Sequence, residues 1–161
     1  MTSRREQPQW LRVVIVYVLV QFAEIFGVSM IYSYLPLALE RAGVALDSIA
    51  ALSGAATAGI FLVGAPQVPV WLAIAELRSR RLVIVRSGLI ALAALVAFAL
   101  ASEAWQLIAS TLALGFWLGN TGVMLATIRE VAPERVRARS IAAFSAAAPM
   151  GFALEIGRAH V

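Results

Sequence analysis

Charged residues become rare in four long stretches of the chain: 13–35, broken only by Gln21 and Glu24, then 49–75, 82–101, which holds Arg86 near its start, and 105–128. Each is at least as long as the ~18 apolar residues that carry a helix across hydrocarbon, so four spans are predicted. A fifth apolar run opens near Ile141 and reaches Leu154. At ~14 residues and 1.5 Å per residue it makes ~21 Å of helix, short of a ~30 Å hydrocarbon core. The expected fold is all-α: a polytopic helical membrane protein with four complete transmembrane helices and a truncated fifth. No Gly/Ser linker, charge block or short repeat divides it.

Composition explains why water is the wrong solvent. Of the 161 residues 61% are hydrophobic and 14% charged, with a mean hydropathy of +0.87, against about a quarter charged in soluble domains. Too little polar surface exists to cover a globule, which excludes an ordinary soluble domain.

Every basic residue is arginine, and their placement changes what the net charge of +4 means. Arg4, Arg5 and Arg12 precede the first span, Arg78, Arg80, Arg81 and Arg86 fall around the start of the third, and Arg129, Arg135, Arg137 and Arg139 follow the fourth. The alternate loops hold only Arg41, beside Glu40, Asp47 and Glu103. Eleven against one is a positive-inside asymmetry, which predicts a cytoplasmic N-terminus and contact with anionic lipid instead of nucleic acid. The first run is longer than the 7–15 residues of a signal-peptide core and carries a carboxylate, so it reads as a permanent span. Trp10, Trp71 and Trp105 fall near the expected interfaces.

The last residues, 155–161, follow the apolar run without turn chemistry and resemble the translation of a common sequencing adapter. Residues 1–154 are therefore read as an incomplete N-terminal transmembrane bundle and 155–161 as a non-native tail, which removes Arg158 and the single histidine, His160, from consideration. There is no cysteine, no Walker loop, no G-x-S-x-G and no H-E-x-x-H. The expectation is not an enzyme, with no catalytic residues, no metal site and no cofactor beyond a coupling proton.

The loop after the second span reads Leu72-Ala-Ile-Ala-Glu76-Leu-Arg78-Ser79-Arg80-Arg81-Leu-Val-Ile84. It resembles the major facilitator superfamily signature G-x-L-a-D-r-x-G-r-k-x-x-l, with Leu72 and Ser79 where that family has glycine. Ala132-Pro-Glu-Arg135-Val-Arg137-Ala-Arg139 is similar to the family's P-x-x-x-R-g-r-a segment, and Tyr34-Leu-Pro36-Leu with Gly43 to the end of its first helix. The resemblance covers 1–154 and implies the N-terminal six-helix half-bundle of a transporter, lacking part of helix five and all of helix six. It also implies a bacterial plasma (cytoplasmic) membrane location, alternating access about a midplane site, and a cytoplasmic gate formed by Glu76, Arg78, Arg80 and Arg81. The R-x-x-x-G of many drug–proton exchangers is missing, since Thr111 precedes Gly115 by four.

Within the spans, Glu24 is the candidate coupling group. An ionised carboxylate exposed to lipid would cost ~3 kcal/mol or more, so it must face the bundle interior or a wet cavity. Tyr17, Gln21 and Glu24 fall on one helical stripe, continued by Gly27. Asn120 and Thr121 lie deep in the fourth span, with Trp117 one turn earlier as an aromatic wall. The structural alternative for each is a hydrogen bond between helices, worth ~1 kcal/mol. Gly115 and Gly119 suggest close packing, Pro66 and Pro69 a bend in span two with Gln67 as a weaker cavity residue, and Arg86 is expected to snorkel to the interface.

The expected function is secondary active transport of small organic molecules, as proton-coupled efflux (antiport), with the lipid bilayer, a small organic substrate and the missing C-terminal half of the same chain as partners. The alternatives are a nutrient or sugar uptake symporter and a non-transporting membrane scaffold or assembly protein.

Overall fold

A computed structural model describes residues 9–158, with side chains up to residue 154. All regular structure among the described residues is helical: α1 (Gln9–Arg41), α2 (Leu46–Gly64), α3 (Val68–Leu77), α4 (Arg80–Leu100), α5 (Ala104–Ala113), α6 (Asn120–Val131) and α7 (Glu134–Arg158). Four helical stretches are long and apolar enough to cross a membrane: Gln9–Arg41, Leu46–Leu77, Arg80–Leu100 and Ala104–Val131. They contain the four apolar runs seen in the sequence, except that the third run ends one residue beyond its helix.

The first helix runs six residues past the expected end at Leu35, through Pro36. Proline costs a helix one hydrogen bond and a clash in the preceding turn. Here Leu35 and Leu39 are both fully buried, and their burial keeps the turn helical against that cost.

Two of the spans are not single helices. Span two is interrupted by a 3₁₀ turn at Ala65–Gln67, where Pro66 and Pro69 remove two donors. Gln67 turns its side chain back along its own helix, its Nε2 donating to the Val63 carbonyl at 2.8 Å. Span four breaks after a second 3₁₀ turn, Leu114–Trp117. Leu118 leaves the helical region with ψ 149, and Gly119 has φ +108, a conformation that glycine alone adopts without a Cβ penalty.

The two interruptions pack against each other through backbone. A Cβ on Gly115 would lie 2.7 Å from the Ile60 carbonyl, and one on Gly64 would collide with the Gly115 carbonyl. Gly115 and Gly119 therefore do not form one packing face: the first allows close approach, the second turns the chain.

Helix α7 begins at Glu134, seven residues before the expected start at Ile141, so Arg135, Arg137 and Arg139 belong to a helix and not to a loop. It lies along α1, where a Cβ on Gly151 would come within 3.1 Å of the Phe26 amide nitrogen. It is helical through residue 158, with no break at the 154/155 boundary. His160 lies outside the described residues.

Polar side chains are buried while many large apolar ones face outward. Gln21, Glu24, Ser29, Ser87, Ser110, Thr111, Asn120, Thr127 and Ser140 are buried, whereas Leu19, Leu62, Leu89, Leu100 and Phe61 are among the apolar side chains that face outward. Such a surface suits lipid. Apolar contacts fill three levels between these polar groups. Val14, Met124, Ile128 and Phe144 join α1, α6 and α7 at the arginine-rich end; Val28, Ile60, Ala94 and Leu114 fill the middle; Leu35, Leu39, Ala56 and Leu107 close the far end.

Candidate functional site at the break in the fourth span

The break decides where Asn120 points. Because Gly119 turns the chain, α6 starts at Asn120 in the middle of the bundle, and its first two side chains face α1. Asn120, 1% exposed, donates Nδ2 to Glu24 Oε2 at 2.5 Å and accepts from the Thr121 amide at 2.8 Å through Oδ1. The Thr121 hydroxyl donates to Gln21 Oε1 at 3.3 Å. Glu24, Gln21 and Asn120 thus meet in one buried polar cluster, with the exposed Thr121 at its edge.

Glu24 is 8% exposed, and its second oxygen, Oε1, has no hydrogen-bond partner. Gly88 of α4 faces that oxygen: a Cβ there would stand 3.8 Å away, at ordinary contact distance. Beside it an apolar cleft of about 400 Å³ runs between α1 and α4, lined by Val20, Ala23, Glu24, Ile84, Gly88 and Leu92 among others. The Trp117 indole N–H lies beside the same carboxylate without completing a hydrogen bond to it. The site therefore holds a buried acid with one oxygen satisfied, the other buried without a partner, and an unused donor beside it.

The other stripe residues are placed differently. Tyr17 packs against the Val14, Met124 and Ile128 cluster at the arginine-rich end, away from the carboxylate. Gly27 offers no vacant space: a Cβ there would meet Leu95 of α4 at 2.9 Å.

Of the four gate candidates, Arg80 alone makes a side-chain hydrogen bond among the described residues, and Glu76 adds a weaker charge interaction with it. Its guanidinium forks onto Glu130 at 2.6 and 2.8 Å and donates to Thr127 Oγ1 at 3.2 Å, tying the start of α4 to the end of α6. This is the single ion pair among the described residues. Glu76, Arg78 and Arg81 make no side-chain hydrogen bond among those residues. The turn between α3 and α4 passes through Ser79 at φ −164, extended backbone that needs no glycine. Leu72, in the other glycine position of the motif, faces Gly122 of α6: a Cβ there would stand 3.7 Å from the Leu72 side chain, at ordinary contact distance.

Arg86 does not snorkel. Its guanidinium carbon lies 3.6 Å from the centroid of the Trp71 ring, and Nη2 donates to Ser87 Oγ at 2.9 Å and to the Leu118 carbonyl at 3.3 Å. Trp71 is accordingly a half-buried stacking platform for this guanidinium. Sequence reasoning missed this group and Glu130, although arginine inside an apolar run was a signal that it needed a partner. Among the described residues no three His, Cys, Asp or Glu side chains stand together to hold a metal. Comparison with family models, with curated proteins and with solved structures found no match to this chain.

Proposed function

We propose that the chain is the N-terminal half-bundle of a secondary transporter resembling the major facilitator superfamily, moving small organic molecules by alternating access with proton-coupled efflux as its direction. The supporting observation is Glu24: a carboxylate buried in the bundle, held through one oxygen by Asn120 at a helix break, with the other oxygen unsatisfied beside an apolar cleft. Buried acids at broken helices are where intramembrane proton and ion traffic is handled, because the freed polar groups there can be satisfied only by a ligand, an ion or a neighbouring side chain. Arg80 with Glu130, and the loop motif around them, would form the cytoplasmic closure. In this reading the N-terminus is cytoplasmic and the membrane is the plasma membrane.

The test uses the whole transporter, both halves included, in proteoliposomes with an imposed pH gradient and a lipophilic dye as cargo. Glu24→Gln is expected to abolish proton-coupled movement while the protein stays folded and inserted. Unchanged pH dependence in that variant overturns the proposal. A water-soluble thiol reagent reaching Glu24→Cys supports a cavity; complete protection favours a non-transporting scaffold in which Glu24 only joins helices.

A further inference from the structure

We infer that Arg86 is the positioning residue of this site: its guanidinium, laid on Trp71 and bonded to the Leu118 carbonyl, holds the break in span four in the register that brings Asn120 and Thr121 to Glu24 and Gln21. The assignment deepens the proposed function by resting on the same site, but its geometry does not require that the protein transports.

Leu118 is where the fourth span loses its helical ladder. At ψ 149 its carbonyl turns out of the helix, and a backbone acceptor in an apolar interior needs a donor from elsewhere. Arg86 Nη2 supplies one at 3.3 Å while also bonding Ser87 of its own helix at 2.9 Å, so one nitrogen bridges α4 and the break. The guanidinium is fixed from its other side by the indole face, 3.6 Å away. That same Trp71 packs on the left-handed residue: its Cβ lies 3.4 Å from where a Cβ on Gly119 would stand. Trp71 and Arg86 therefore lie against the two residues that make the turn, Gly119 and Leu118, immediately before Asn120.

The arginine forgoes other bonds to do so. Nε and Nη1 are buried without partners, although a long, flexible stem one turn inside a span could carry the group to water. A guanidinium placed only to satisfy itself would be hydrated at the interface. Lysine could keep the charge over the ring, but it lacks the planar fork that holds the bridge in one geometry.

The experiment exploits a chain without cysteine. In the full chain in nanodiscs, a Gln21→Cys/Thr121→Cys pair is bridged by a short bis-methanethiosulfonate. An Ile25→Cys/Gly151→Cys pair, whose Cβ positions are 3.3 Å apart, reports the α1–α7 packing by direct disulfide formation. Each pair is measured with Arg86, Arg86→Met and Arg86→Lys. Loss of one charge-assisted hydrogen bond is expected to slow the 21–121 bridge about tenfold in Arg86→Met, with partial recovery in Arg86→Lys, while the 25–151 disulfide forms at its original rate. A 21–121 rate as fast as with arginine overturns the assignment, and so does equal slowing of both pairs, which would make Arg86 a general stability residue. If Arg86→Met does not fold, Arg86→Lys decides alone by the same two rates. No readout involves transport, so failure of the transport proposal leaves this result standing.

Discussion

Asn120 and Glu24, 96 positions apart in the chain, are joined by a hydrogen bond in the middle of the bundle. The bond exists because span four is two helices. An unbroken helix through Gly119 would keep Asn120 in the ladder direction of α5; the left-handed glycine restarts the chain and aims the first side chains of α6 at α1.

Removing the amide leaves an acid with no partner at either oxygen. Asn120→Leu is expected to destabilise the bundle by ~1–3 kcal/mol, the cost of an unsatisfied buried group. A double-mutant cycle with Glu24→Gln should return a coupling energy of ~0.6–1.7 kcal/mol, the range for bonds between membrane helices. Unfolding in mixed detergent–SDS micelles measures both, and additive effects would mean that the bond contributes nothing.

The backbone contact between the two interrupted spans predicts opposite outcomes for two glycines. Gly115→Ala forces a Cβ against the Ile60 carbonyl and the Val63 side chain and should cost ~1–3 kcal/mol, as overpacking does. Gly54→Ala, with nothing within 4 Å of the new atom, should be tolerated or stabilising by up to ~1 kcal/mol, the helix-propensity gain. The same detergent titration separates them.

Arg80 and Glu130 form a forked pair whose side chains are 32% and 59% exposed, so solvent and salt screen it. Glu130→Gln should lower the thermal midpoint at low salt, and the difference should shrink in 1 M salt, where the screening length falls to ~3 Å. The exchanged pair Arg80→Glu/Glu130→Arg should recover part of the loss. A deficit indifferent to salt would mean that packing at Thr127, not charge, holds these helix ends.

The arginine distribution predicts sidedness. Single cysteines at Ser79 and Arg135 should react with an impermeant thiol reagent from the same face of the membrane, and cysteines at Gly43 and Glu103 from the opposite one. Labelling of all four from one side would overturn the four-span topology.

Much of the fold was legible because a long apolar run has few alternatives to helix: away from water, only a helix satisfies its backbone within one segment. The runs containing Glu24, Gly88 and Asn120 were therefore readable as spans, and Glu24 as an interior group. The ends were less so. Pro36 suggested a stop that the burial of Leu35 and Leu39 overrides, and the arginines after Pro133 suggested a loop where α7 has already begun.

The sequence by itself determined four apolar spans, an arginine-rich end and an acid that had to face inward, since transfer energies depend only on residue type and run length. Tertiary structure alone decided which donor meets that acid, that Arg80 pairs with Glu130 instead of Glu76, and that Arg86 turns inward onto Trp71. Those choices depend on where two helices break and on which backbones approach through Gly64, Gly115 and Gly119. Periodicity carries no information about a single left-handed residue, yet that residue sets the direction of every side chain after it.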